Sequence, residues 1–132
     1  MPVPLPEDLR AVLDGPNFAH LTTLDPDGAP QTSAMWVTTD GDDIIFNTAE
    51  GRRKWRNLQH DPRVAVSISP NGEPYRNWSI QGRVSEMRTS DGVAVIDALA
   101  QKYLGEPTYP WLTPGMVRVT VVVEPTRVAA KR

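Results

Sequence analysis

With 132 residues, a formal net charge of −2 and no cysteine, the chain has room for one domain and one core. The lack of cysteine excludes disulfides, thiolate metal sites and cysteine nucleophiles, and the slightly acidic balance argues against nucleic acid as a partner. No apolar run nears the roughly 18 residues of a membrane span, and Met1 to Pro6 lacks the features of a signal peptide, so a cytoplasmic protein with no membrane partner is expected.

The first predicted element is a short helix over Pro6 to Asp14, with Leu5, Leu9, Val12 and Leu13 on one side and Asp14-Gly15-Pro16 as its stop. Phe18 to Leu24 reads as a strand closed by the turn Asp25-Pro26-Asp27-Gly28. Pro30 to Thr38 returns as a second strand, Asp40-Gly41-Asp42 makes a hairpin turn, and Asp43 to Thr48 is the third. Glu50 to His60 is predicted helical, ending at Asp61-Pro62. Arg63 to Ser69 and Trp78 to Met87 are the next strands. A helix capped by Thr89-Ser90-Asp91 then runs to about Leu104, with Val93, Ile96, Ala100 and Tyr103 as its apolar face. Met116 to Glu124 is the last strand, alternating Val117, Val119, Val121 and Val123. Six hairpin-linked strands with three short helices predict a single mostly β domain over 1–132, a small closed or half-open antiparallel barrel.

Most chemistries find no support in the residues. His20 and His60 have no second histidine at ligand spacing, and Asp40, Asp42 and Asp43 fit a hairpin turn rather than a calcium loop. A nucleophile elbow, a dinucleotide fingerprint and a Walker sequence are all absent. One segment stands apart from the acidic whole. Arg52, Arg53, Lys54 and Arg56 fall within five residues, just after the apolar Ile44-Ile45-Phe46. Cations and free backbone N–H groups at a strand-to-helix junction suit a phosphate. The mixed strand Gln31, Thr32, Ser33, Met35 and Trp36 suits a flat ring.

The order of these pieces resembles a family. Gly28 to Val37, Asp40 to Thr48, Gly51 to Leu58, Asp61 to Val64 and Trp78 to Val84 follow, in register, the pattern of the pyridoxamine 5′-phosphate oxidase-like proteins. Among these the chain is most similar to the branch that uses the deazaflavin coenzyme F420. The resemblance implies a six-stranded antiparallel split β-barrel, FMN-binding-like, working as a homodimer. It implies cofactor contacts from Gln31, Thr32, Ser33, Ala34, Met35, Trp36 and Val37 along the ring, and from Thr48, Arg53, Lys54, Arg56 and Asn57 toward phosphate and tail. Asn77 and Trp78 are implied as contacts from a facing subunit.

What the resemblance implies for activity is an oxidoreductase passing hydride from reduced F420 to a small conjugated or quinone-like acceptor. Tyr75, Tyr103, Tyr109 and Trp111 are candidates for the substrate wall, and no residue is singled out as proton donor. FMN is the alternative cofactor. A binding protein without catalysis, for a flavin, a deazaflavin or haem, is the alternative role. The oxidase proper holds pyridoxal phosphate with a C-terminal Trp- and Arg-rich segment that Val121 to Arg132 does not resemble, so vitamin B6 oxidation is not expected.

Overall fold

The computed structural model describes residues 1–131, which form three helices and a seven-stranded antiparallel sheet. The helices are α1 (Glu7–Asp14), α2 (Arg53–His60) and α3 (Gly92–Leu104). The strands are β1 (Ala19–Leu24), β2 (Pro30–Met35), β3 (Thr38–Asp40), β4 (Asp43–Ala49), β5 (Arg63–Ile68), β6 (Asn77–Arg88) and β7 (Arg118–Lys131).

The sheet order is β2-β1-β5-β6-β7-β4-β3. Its two end strands are consecutive in the chain, separated by Trp36 and Val37 alone, so the sheet curls back on itself and covalent continuity spans the seam. The predicted single strand over Pro30 to Thr38 is therefore two strands. Met35 pairs with Ala19 at one end of the ladder, while Thr38 pairs with Ile45 at the other. This split accounts for seven strands where six were expected.

Inward positions alternate as period-2 strands require. Leu21, Ile44, Phe46, Val64, Val66, Ile68, Ile80, Val119, Val121 and Val123 fill the interior. Leu9 and Leu13 of α1 join the same core, as its apolar stripe requires. The last strand is longer than predicted because the ladder continues past Pro125. Pro125 has no N–H to give, and the register slips beside it, between Gln81 and Gly82. Gly82 is required there: a Cβ would come within 2.8 Å of the Glu124 carbonyl oxygen.

The helix boundaries also shift. α2 begins at Arg53 rather than Glu50, because Gly51 takes a left-handed conformation (φ 90°) and makes a turn first. In α3 the buried positions are Gly92, Ile96, Leu99 and Ala100, while Val93 is exposed. Asp91 precedes α3 but gives its carboxylate to Arg88, at 2.9 Å, instead of to the helix N-terminus.

Candidate functional site

A cavity of about 230 Å³ opens where the β2–β3 seam, the end of β4, the start of α2, α3 and the segment after α3 converge. Its character follows from two groups of residues. One is aromatic: Trp36 at the seam, with Tyr109 and Trp111 from the segment before β7. Tyr109 and Trp111 meet edge to face at 5.6 Å between centroids, and Tyr109 meets Trp36 the same way at 6.0 Å. Trp36 is stacked on Tyr103 of α3 at 5.3 Å with only 5° between planes. Tyr103 is fixed in turn, donating its hydroxyl to Asn17 O at 2.6 Å and accepting from Val37 N at 3.1 Å.

The second group is cationic: Arg52, Lys54 and Arg118. Among the described residues none of the three has a carboxylate within ion-pair distance. Burial lowers the Lys54 pKa, and the neighbouring charges of Arg52 and Arg118 lower it further. Three cations that raise one another's electrostatic energy, with no acid between them, leave an uncompensated positive field suited to an anion.

Alternate helix faces give the cations of α2 different surroundings. Arg53 and Asn57, one turn apart, face the β1–β2 turn. The Arg53 guanidinium grips Asp25, with Nε to Oδ1 at 2.9 Å, and Asn57 Nδ2 donates to Asp25 Oδ1 and Thr23 Oγ1, each at 3.0 Å. The bond from Arg53, then that from Asn57, holds the Asp25 carboxyl below its ordinary range. Arg53 and Asn57 thus clamp helix to turn. Arg56 is exposed and donates to Gly51 O.

The sequence-predicted contacts separate accordingly. Ala34, Met35, Trp36, Thr48 and Lys54 come together on the cavity. Thr48 Oγ1 and Ser33 Oγ are buried without a hydrogen-bond partner among the described residues. Gln31 accepts from Thr23 at 3.4 Å, and Thr32 shares a 2.7 Å bond with Thr22 on the outer face of the sheet. Val37 is wholly buried, so its side chain lies in the core and not along a ring. Asn77 is half-buried at the start of β6. Trp78 is 2% exposed and belongs to this chain's own core, with the Arg76 guanidinium 4.9 Å above its ring. That side chain has no free surface to offer a facing subunit. Of the candidate aromatics, Tyr75 is exposed and away from the cavity lining.

Sequence reasoning missed Asn47 and Arg118 as cavity residues, while Arg52, read as part of the phosphate-suited basic segment, does line the cavity. Asn47 and Arg118 carried a signal, each a polar residue set in an apolar strand. Thr120 opposes Asn47 and Ala49 opposes Arg118, so Asn47 and Arg118 are diagonal neighbours on one sheet face. Among the described residues no group of three or more His, Asp or Glu could hold a metal, and no helix is long and apolar enough to cross a membrane.

Comparison with known proteins adds a family and a set of folds. The family profile described as "Pyridoxamine 5'-phosphate oxidase" matches residues 5–131. A pyridoxine/pyridoxamine 5′-phosphate oxidase from Rubrobacter xylanophilus is 40% identical over an 88-residue alignment that covers 64% of this chain and 38% of that protein. The chain thus spans well under half the length of that relative. A solved F420 reductase is 34% identical and superposes with a TM-score of 0.84 over 95% of this chain and 98% of its own. The conserved hypothetical protein Rv2991 from Mycobacterium tuberculosis shares the fold, at 20% identity and a TM-score of 0.75 over 98% of this chain and 86% of its own.

Proposed function

The chain belongs to the pyridoxamine 5′-phosphate oxidase family, a family of oxidoreductases that bind flavins or deazaflavins, and on that premise we propose that it is a coenzyme F420-dependent reductase. The carrying observation is the cavity in which Lys54 and Arg52 stand free of any described carboxylate beside the aromatic side chain of Trp36. Coenzyme F420 has a flat ring and an anionic tail that begins with a phosphodiester, so it needs a cationic seat next to a wall for the ring. The residues fit such a guest: Thr48 Oγ1 is a buried hydroxyl lacking a partner on the same cavity. The similarity to an F420 reductase over nearly the full length of both chains supports the same reading.

When bound, the reduced coenzyme supplies a hydride from its ring. The acceptor in this reading is a small conjugated or quinone-like molecule. Lys54 and Arg52 neutralise the phosphate, each charge-assisted contact contributing roughly 1.5–3 kcal/mol. Trp36, braced from behind by Tyr103, orients the ring. Tyr109 and Trp111 exclude water from one side, which strengthens every polar contact inside. Arg53, tied to Asp25, serves this site by fixing α2 and thereby Lys54.

A second copy of the chain completes the pocket in this proposal. His20, Thr22, Ser67, Ser79 and Ala129 leave the outer face of β1, β5, β6 and β7 concave and uncovered by any helix, which supports pairing there. Light scattering on the purified protein tests this, and a monomer at micromolar concentration overturns it. Separate fluorescence titrations with F420 and FMN test the cofactor. Tight F420 binding with hydride transfer to a model quinone is the expected result. FMN binding with no affinity for F420 overturns the reading in favour of a flavin-binding role.

A further inference from the structure

Arg118 is 4% exposed, yet no carboxylate among the described residues reaches it. Its Nε donates to Asn47 Oδ1 at 2.9 Å, its Nη1 meets Met116 Sδ at 3.6 Å, and its guanidinium carbon lies 5.0 Å from the centroid of the Tyr109 ring. An amide oxygen, a thioether and a π face are all neutral. A buried charge so partnered is costly, and it is retained where a counter-ion arrives from outside. Burial is the main influence lowering the pKa of this group, Arg52 adds to it, and the only opposing influences come from Tyr109. No acid enters.

The guanidinium is also held in place beforehand. Asn47, which accepts from Arg118, donates its Nδ2 to Gly92 O at 2.9 Å. Gly92 opens α3 and lies so close to β7 that a Cβ would fall 2.0 Å from the Arg118 carbonyl oxygen. Helix α3, β4 and β7 are thereby locked together at the base of the side chain. Nε and Nη1 are engaged by Asn47 and Met116, and the Tyr109 hydroxyl is the other neutral partner, so the five N–H donors of the fork outnumber these partners. A guanidinium fork with donors left over reads planar or tetrahedral oxyanions better than any other group.

We propose that Arg118, held by Asn47 and accompanied in the same cavity by Lys54 and Arg52, binds an oxyanion, a phosphate or carboxylate carried by the guest of this cavity. The assignment rests on the cavity proposed above as a cofactor site, but not on whether that cofactor is F420 or FMN. Lys54 and Arg52 lie at the start of α2, whereas Arg118 comes from β7, where it pairs with Ala49 at the end of β4. Two elements, α2 and β7, therefore contribute cations to the oxyanion's seat.

A buried cation kept for a guest weakens the empty protein, and this gives a test that a purely structural arginine fails. Arg118→Met keeps the length of the side chain and removes the charge. Without ligand, the variant is expected to melt at a higher temperature than the parent. Its affinity for inorganic phosphate, followed by Trp fluorescence of the full chain, is expected to fall on the order of ten- to a hundredfold. A lower melting temperature together with unchanged phosphate affinity overturns the proposal.

Asn47→Asp provides a second route, independent of whether Arg118→Met folds. It keeps the Arg118 side chain, gives up the Asn47 bond to Gly92 O and sets a carboxylate beside the guanidinium, so phosphate affinity is expected to drop at least on the order of tenfold. Parent-like affinity in this variant overturns the proposal. Repeating the phosphate titration with saturating F420, and then FMN, identifies the source of the oxyanion. Displacement of phosphate makes Arg118 the seat of the cofactor's own anion. Phosphate that still binds the loaded protein, and is lost with Arg118→Met, makes it the seat of a substrate's anion. Arg118-dependent phosphate binding with no F420 binding upholds this inference and sinks the F420 reading; F420 binding alongside Arg118-independent phosphate binding does the reverse.

Discussion

The two faces of α2 carry the same charge and meet opposite surroundings. Arg53 faces Asp25 and, with Asn57, knits the helix to the β1–β2 turn. Lys54, the next residue, faces a cavity that it shares with Arg52 and Arg118 and in which no described carboxylate answers it. Ion pairing raises the pKa of Arg53, while burial lowers that of Lys54. Charge density along the sequence is therefore a poor guide to a binding site. A cation whose partner is already in the fold holds the fold; a cation brought indoors without one is free to hold a guest.

The largest expected effect separates these two roles directly. Lys54→Ala should weaken binding of the phosphate-bearing cofactor on the order of ten- to a hundredfold, with no loss of thermal stability. Isothermal titration and a melting curve on the same preparation check both halves, and unchanged affinity breaks the comparison. Asn57→Ala should act the other way. It removes the donor to Thr23 and Asp25 and should cost about 1–3 kcal/mol of unfolding free energy in urea. Its cofactor affinity should stay near that of the parent wherever the variant is folded.

Lys102 sharpens the comparison as an intermediate case. Its ammonium is satisfied by neutral oxygens, donating to Leu13 O at 3.1 Å and to Val37 O, and burial pulls its pKa down to about 8. In the unfolded chain the same group titrates at about 10.5. Between those values the unfolded state carries the extra proton, so stability should rise as pH climbs from about 8 to about 10.5 and be indifferent to this group below that window. Lys102→Met should flatten that rise in urea midpoints measured across the range, and a slope equal to the parent's contradicts the assignment.

Arg53→Ala should have the smallest effect. The pair with Asp25 is largely exposed on the arginine side, 58% for its side chain. Its loss should move the urea midpoint less than Asn57→Ala does, and cofactor affinity should change by less than about threefold. A loss of affinity equal to that of Lys54→Ala would return Arg53 to the phosphate and erase the distinction between the faces.

Much of the barrel was legible because strands announce themselves by period and turns by composition. Asp25-Pro26-Asp27-Gly28 and Asp40-Gly41-Asp42 marked hairpins that the fold contains. The apolar stripe of α1 was readable from Leu5, Leu9, Val12 and Leu13, all of which are buried. The split at Trp36 and Val37 was not readable. Both halves have strand-like sequence, and only closure of the sheet sends Thr38 to a different neighbour from Met35. The extension of β7 past Pro125 was hidden for a similar reason, since a proline ends a strand unless the partner offers a bulge.

By itself the sequence determined the family, the mostly β class and the presence of a basic segment after β4, because these depend on local pattern and on the order of motifs. Tertiary structure alone decided which of those basic residues meets an acid and which does not. It drew in Arg118 from 64 residues beyond Lys54 in sequence and sorted Trp78 into the core. The physical reason is that the electrostatic energy of a charge is set by what surrounds it in space, its partners and its depth, and neither is written in the spacing of residues along the chain.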